Sequence, residues 1–179
     1  FDELIMGLGI SGAAQPIVDA RSRRIVGYEL LGRANHPQLP GTPIELFGLA
    51  EAMGREVDLS LAFREFGLGK MAPRVAGNTL FINVHPKETF SDSFIASLER
   101  LRQVSPEMSI VVEIHESAVT DIEKLRALAN ELSRLNIRFA YDDFGAGQAR
   151  LLELADVPAH FVKFDRTLIR GIHKASERK

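Results

Sequence analysis

Two aspartates stand side by side in "FAYDDFGAG", between an apolar run and a glycine-rich turn, at Asp142 and Asp143. Either they hold a metal ion or they cap a turn. Other acidic and polar residues close other apolar runs: Glu29 in "IVGYELLGR", Asn83 in "TLFINVH", Glu113 in "SIVVEIH", and Lys163 with Asp165 in "HFVKFD". Glu29, Asn83, Glu113, Asp142 and Asp143 make an oxygen-rich set with no thiol and no evident histidine partner. Hard divalent cations such as magnesium, manganese or calcium take such ligands. Clustered carboxylates raise one another's pKa unless a cation neutralises them. Two metals ~3.5–4 Å apart can activate a water and stabilise a leaving oxygen in phosphodiester hydrolysis. Lys163 would add a positive charge near the attacking water or the phosphoryl oxygens. Each residue alone has a blander explanation. A strand-end carboxylate is commonly a solvated loop residue or a helix N-cap, Asn83 can be a turn residue, and Lys163 can extend its stem to solvent. The joint pattern at successive strand ends is what points to a site.

These residues need elements to position them. The first clear strand is "QPIVD" (15–19), followed by the turn "ARSRR" and the strand "IVGYELLGR" (25–33). A parallel crossover needs a dozen or more residues, so this pair is expected to be antiparallel. After the loop "ANHPQLPGTP", Thr42 suits an N-cap and Pro43 the first helical position. Helical patterning covers 44–53 and 57–71. Strands at 79–85, 109–115, 137–144 and 160–165 then alternate with the helices "DSFIASLERLRQV", "DIEKLRALANELSRLN" and "ARLLELA", and "RTLIRGI" begins another. Strand–helix alternation means a parallel sheet of βα units, and near-continuously apolar strands mean both faces are covered. A doubly wound open sheet and a β/α barrel both fit. A barrel gathers its strand C-termini around one mouth, where barrel active sites lie, whereas an open sheet would spread them along a line. A full barrel takes ~250 residues, so the strands legible here would be a barrel without its last part.

With 179 residues the chain reads as one domain. A net charge of −2 gives no broad pull toward nucleic acid or anionic membranes. The lack of cysteine excludes disulfide scaffolds, thiol catalysis and cysteine-bound zinc, and points to a reducing, cytoplasmic compartment. No apolar run reaches the ~18 residues of a membrane span. The start "FDELIMGLGISGAA" lacks the basic region of a signal peptide and lacks an initiator Met, and the end "IHKASERK" is charged. Both ends read as cut points in a longer chain. "GLGISG" matches a dinucleotide fingerprint, but that pattern needs a strand before it and a helix after it, and "AAQPIVD" follows. "DFG" occurs in kinases, but no H-R-D or Val-Ala-Ile-Lys segment precedes it. The five histidines show no H-x-x-x-H spacing.

The stretches "QPIVDARSRRIVGYELLGR", "FINVHP", "VVEIHES", "YDDFGAGQARLLEL" and "HFVKFDRTLI" together resemble the EAL domain, the cyclic di-GMP phosphodiesterase module of bacterial signalling proteins. Their order and spacing agree from Gln15 onward, and "DDFGAG" followed by "VKFD" is the most specific part. The resemblance implies an α/β fold: a (β/α)8 TIM-like barrel with an antiparallel first strand. Residues 1–179 would be a single EAL domain, incomplete at its C-terminus, with 1–13 as a lead-in. It further implies that Glu29 is the metal-binding glutamate of the signature tripeptide, here "ELL", and that Asn83, Glu113 and Asp142 are further metal ligands. Asp143 would bind a second metal, Lys163 would lie near the catalytic water, and Glu116 would steady the loop around "DDFGAG". Lys163, Asp143 and Glu116 thus form the implied catalytic set, and Gln15 and Arg33 would contact the dinucleotide. The implied reaction opens cyclic di-GMP to linear pGpG with magnesium or manganese, two ions in all. Implied partners are cyclic di-GMP and a second copy in a homodimer, with fusion to sensor or GGDEF-type cyclase domains, and with neither nucleic-acid duplex nor membrane contacted.

The chain departs from the family pattern in places. Gly32 turns the usual "LLR" into "LGR" and is expected to loosen that strand end. "DDFGAGQARL" replaces "DDFGTGYSSL", which affects Ala146 and residues 148–150, and His115 stands where threonine is usual. The family's later "AEGVE" strand, with its catalytic glutamate, and its "QGY" segment have no counterpart before Lys179. Two functions follow: a metal-dependent phosphodiesterase, or a catalytically inactive domain that serves as a cyclic di-GMP receptor or protein-interaction module.

Overall fold

A computed structural model describes residues 1–75, 77–145 and 155–170. The changes at Ala146 and 148–150, most of the expected "ARLLELA" helix and the charged tail lie outside these residues. A short helix α1 (Asp2–Ile5) precedes the hairpin β1 (Ile10–Val18) and β2 (Ile25–Ala34). The hairpin is antiparallel, in register from Ile10 opposite Ala34 to Val18 opposite Ile25. β1 therefore starts earlier than its apolar run suggests, and residues 10–13 belong to the sheet rather than to a lead-in. The small residues "SGAA" carry no hydrophobic signal, yet their backbone pairs along the whole length of β2. In the tight turn, Asp19 Oδ1 accepts from Ser22 N at 2.6 Å.

Helix α2 (Pro43–Met53) begins as expected, with Thr42 Oγ1 accepting from Glu45 N and the Thr42 hydroxyl donating back to the Glu45 carboxylate at 2.5 Å. The Glu45 N–H is one of the donors that a helix start leaves free, and the hydroxyl bond holds the cap in place. The second helical stretch is not uniform: α3 (Glu56–Ala62) passes through a π-helical turn, Phe63–Gly67, into α4 (Leu68–Met71). Beyond it come β3 (Thr79–Asn83), α5 (Asp92–Val104), β4 (Ile110–His115), α6 (Ile122–Arg134), β5 (Arg138–Phe144), β6 (Phe161–Phe164) and α7 (Arg166–Ile169).

The strands form one six-stranded sheet in chain order, parallel from β2 onward. Successive side chains point to opposite faces. Leu80, Ile82, Ile110, Val112 and Ile114 share one apolar cluster with Phe94, Leu98, Leu125, Leu128 and Leu132 from α5 and α6. The opposite parity gives a second, small cluster of Phe81, Val111 and Ala140, with Ile17 against it. Two residues further along β3, β4 and β5, that parity presents Asn83, Glu113 and Asp142. The sheet curls. Strands lie about 4.8 Å apart, so β2 and β6 would be ~19 Å apart in a flat sheet, yet Lys163 Nζ on β6 reaches Glu29 Oε2 on β2 at 3.2 Å. This closure makes the sheet an arc of a TIM-like barrel and removes the open-sheet alternative.

Two glycines make room for the interior. A Cβ on Gly27 would lie 2.8 Å from Thr79 O and 2.9 Å from Phe81 Cε2, so its absence lets the Phe81 ring fill the barrel. A Cβ on Gly32 would lie 2.5 Å from Phe63 Cδ2. Gly32 therefore seats the Phe63 ring rather than loosening the strand end. Among the described residues no helix is long and apolar enough to cross a membrane.

Candidate metal and dinucleotide site

Side chains from β2, β4, β5 and β6 meet at the C-terminal mouth of this arc. Lys163 Nζ lies 2.7 Å from Glu113 Oε1, 3.0 Å from Asp142 Oδ1 and 3.2 Å from Glu29 Oε2. From β3, Asn83 Nδ2 donates to Glu29 Oε1 at 3.0 Å. Glu113 is fully enclosed (0% exposed), and among the described residues neither of its oxygens has an aligned hydrogen bond. The close lysine neutralises Oε1 by proximity rather than by a well-directed bond. Burial pushes the Glu113 carboxyl up to about 8, Glu29 and Asp142 push the same way, and Lys163 opposes them. Burial also works against the charge on Lys163, but Glu113, Asp142 and Glu29 outweigh it and hold the ammonium's pKa above its ordinary value.

This donor set fits a hard divalent cation. It is built of oxygens, and it contains a buried carboxylate atom, Glu113 Oε2, without a hydrogen-bond partner among the described residues. Among the described residues no three carboxylates or histidines are already spaced as a cage. The Lys163 ammonium occupies the centre of the cluster, so a cation there requires that lysine to swing aside and the Asn83 amide to turn its oxygen inward.

The neighbouring turn is held from below. β5 ends at Phe144, and Asp143 takes a left-handed φ of 52°, a conformation that Asp and Asn adopt more readily than most residues. Gly145 follows at φ 89° and donates its N–H to Glu116 Oε2 at 2.8 Å. Asp143 Oδ2 faces His115 Nε2 at 3.4 Å, so a histidine does join the acidic set. Asp165, in contrast, caps α7 by accepting from Thr167 N at 2.7 Å.

Gln15 lies opposite Glu29 in the β1–β2 register and is exposed. Arg33 shares the parity of Glu29 along β2, and its guanidinium donates to Gly32 O at 2.8 Å. Neither lines the adjoining cleft of about 320 Å3, which Glu29, Asn83, Glu113 and Asp142 border on one side. The other side was not apparent from the sequence: Phe47, Phe63 and His85. The Phe47 and His85 rings stack at 5.3 Å between centroids and 13° between planes. Burial lowers the His85 pKa, which favours the neutral ring in this wall. In the sequence His85 lies in "NVHP", two residues after Asn83, with no pattern that marks it as part of a wall.

The fold and the site together define a β/α-barrel domain with a carboxylate-lined mouth. The EAL domain family model matches residues 9–179. The chain belongs to the EAL domain family. Among curated proteins it is 31% identical over 169 residues to the probable cyclic di-GMP phosphodiesterase PdeN of Escherichia coli K12, covering 89% of this chain and 32% of that protein. It is 31% identical over 166 residues to the cyclic di-GMP phosphodiesterase RocR of Pseudomonas aeruginosa, covering 87% of this chain and 42% of that protein. The chain thus spans less than half the length of either relative. Among solved structures, the manganese/cyclic di-GMP complex of Klebsiella pneumoniae BlrP1 superposes with a TM-score of 0.77 at 26% identity, covering 93% of this chain and 43% of that one. The Xanthomonas citri FimX EAL domain in complex with cyclic di-GMP shares the fold, with a TM-score of 0.83 at 18% identity over 99% of this chain and 72% of that one.

Proposed function

We propose that this chain is a divalent-cation-dependent cyclic di-GMP phosphodiesterase domain that opens its substrate to linear pGpG. The observation that carries the reading is the convergence of Glu29, Asn83, Glu113 and Asp142 at one mouth, with Lys163 among them. The phosphodiesterase names of PdeN and RocR support it. Magnesium or manganese, as two ions, would supply Lewis-acid charge on the phosphoryl oxygens and lower the pKa of a bound water.

The chain's own residues do the rest. Glu29, Asn83, Glu113 and Asp142 would hold one cation, and Asp143 would bind the second. Lys163, displaced from the carboxylates, places its ammonium on the charge that develops at the phosphoryl group. Glu116 fixes the turn after Asp143 through the Gly145 N–H. Gln15 and Arg33 hold the dinucleotide beside the first hairpin, and the Phe47–His85 wall offers it a flat apolar surface. We place the domain in the bacterial cytoplasm, as a homodimer fused to sensor or GGDEF-type modules. The greater length of PdeN and RocR supports such a fusion.

A receptor that binds cyclic di-GMP without cleaving it is the second reading. It is favoured by one observation: the Lys163 ammonium contacts Glu29, Glu113 and Asp142 together, the same carboxylates that a cation would bind. Incubating the purified protein with cyclic di-GMP, with manganese or with chelator, separates the two. Manganese-dependent pGpG release supports the enzyme. Tight binding with no turnover in either condition supports the receptor and overturns the enzyme reading.

A further inference from the structure

Behind the mouth lies a charged pair that the site chemistry does not use. Arg64, on the π-helical turn, and Glu88, in the loop after β3, are both buried, with side chains 2% and 0% exposed. Their contact is bidentate: Arg64 Nη2 donates to Glu88 Oε2 at 2.8 Å and Nη1 to Oε1 at 3.1 Å. Arg64 Nε donates to Ser97 Oγ on α5 at 3.0 Å, and the guanidinium lies 4.9 Å from the Phe94 ring centroid. Ser60 Oγ donates to the same Glu88 Oε1. The remaining bond gives the network a direction: the His85 backbone N–H donates to Glu88 Oε1 at 3.2 Å.

That N–H sits where the chain leaves the sheet. Val84 N still bonds to Glu113 O at 3.3 Å, as the last rung beside β4. One residue on, His85 N has no strand partner, and the buried carboxylate and Ser60 Oγ receive it. On one side of this turn is Asn83, which reaches Glu29. On the other is the His85 ring, stacked on Phe47. A buried ion pair is seldom the most stable filling for such a space, because apolar residues of similar volume often serve as well or better. A bidentate pair does supply direction.

We infer that Arg64 and Glu88 are positioning residues for the site: through the His85 N–H they fix the turn that aims Asn83 at the carboxylates and sets the His85 wall of the cleft. This rests on the function proposed above, since it takes Asn83 to be a cation ligand. Outer partners of this kind typically change metal affinity about 10–100-fold when altered.

The test is manganese titration by calorimetry, paired with thermal melting, on the purified protein and two variants. Arg64→Met with Glu88→Leu replaces the pair by apolar volume. Glu88→Asp keeps the charge pair but withdraws one of the two acceptors, the carboxylate, from the His85 N–H. Each is expected to melt close to the parent yet bind manganese about 10-fold more weakly or worse, a loss that a purely structural pair would not produce. Wild-type affinity in either folded variant overturns the inference while leaving the proposed function standing. A parent protein that binds no manganese overturns both. Should the double variant not fold, Glu88→Asp decides alone.

Discussion

Lys163 Nζ lies 2.7 Å from Glu113 Oε1, and among the described residues no aligned hydrogen bond reaches that buried carboxylate. A buried acid held only by a neighbouring ammonium makes stability depend on pH. Burial raises the Glu113 carboxyl from 4.5 to about 8 in the folded chain. Between those values the folded state keeps a proton that the unfolded state has lost, so this group's contribution falls as pH rises through the window. Lys163 is raised above 10.5 and stays charged in both states throughout that window, so it adds no slope there. The cation-free protein should therefore lose melting temperature from about pH 5 to about pH 8. Glu113→Gln should flatten that slope in a pH series of thermal melts. An unchanged slope in the variant assigns the pH dependence elsewhere.

Lys163→Met removes the one cation, among the described residues, that the structure places between Glu29, Glu113 and Asp142. Breaking a buried charge cluster from one side typically costs about 3–5 kcal/mol, and about a third of the Lys163 side chain is exposed, which argues for the lower end. In chelator the variant should melt well below the parent. Added manganese should recover more stability in the variant than in the parent, because the cation then replaces the missing charge. Equal manganese shifts in the two proteins would mean that lysine and cation do not share this cluster.

Gly32→Ala tests the close approach of Phe63. The new Cβ would lie 2.5 Å from Phe63 Cδ2, and overpacking of this kind costs about 1–3 kcal/mol. Urea unfolding should show that loss, and Phe63→Leu in the same chain should recover part of it. Additive losses in the double variant would place Phe63 away from Gly32.

Much of this arrangement was legible in the sequence, for physical reasons. The turn "ARSRR" is too short for a crossover, so the antiparallel β1–β2 pair followed from length alone. Thr42 and Pro43 marked the start of α2, where the cap bond is present. Polar residues closing apolar runs located the mouth, because strand parity carries Asn83, Glu113 and Asp142 to the same face. The rest left little local signal. Ser11, Gly12, Ala13 and Ala14 are small and carry no alternating apolar pattern, so the start of β1 was hidden. Gly32 read as slack because the ring it accommodates is far away in sequence. Arg64 and Glu88 lie 24 residues apart and carry no joint local signal, and only tertiary packing brings them together. The Phe47–His85 wall was hidden for the same reason.

Arg102 offers a control distant from the mouth. It donates to Leu135 O and Asn136 O at the end of α6, each at 2.9 Å, and to Pro106 O and Met108 O before β4, each at 2.8 Å. Arg102→Ala leaves these carbonyls without their shared donor and should cost about 1–3 kcal/mol in denaturant unfolding. Manganese affinity should be unchanged. A weakened manganese site in this variant would show that general destabilisation alone disturbs the mouth.

The most direct measurement is the manganese-dependent rate of pGpG formation by the purified protein and its Asp142→Asn variant, both confirmed as folded by circular dichroism. Asp142→Asn removes a charge and little volume, so the barrel arc should persist. The expected result is product formation by the parent and a loss of about 100-fold or more in the variant, because a metal ligand and its charge are gone. A variant as fast as the parent, or a folded parent that binds cyclic di-GMP and never cleaves it, would contradict a metal-dependent phosphodiesterase at this mouth.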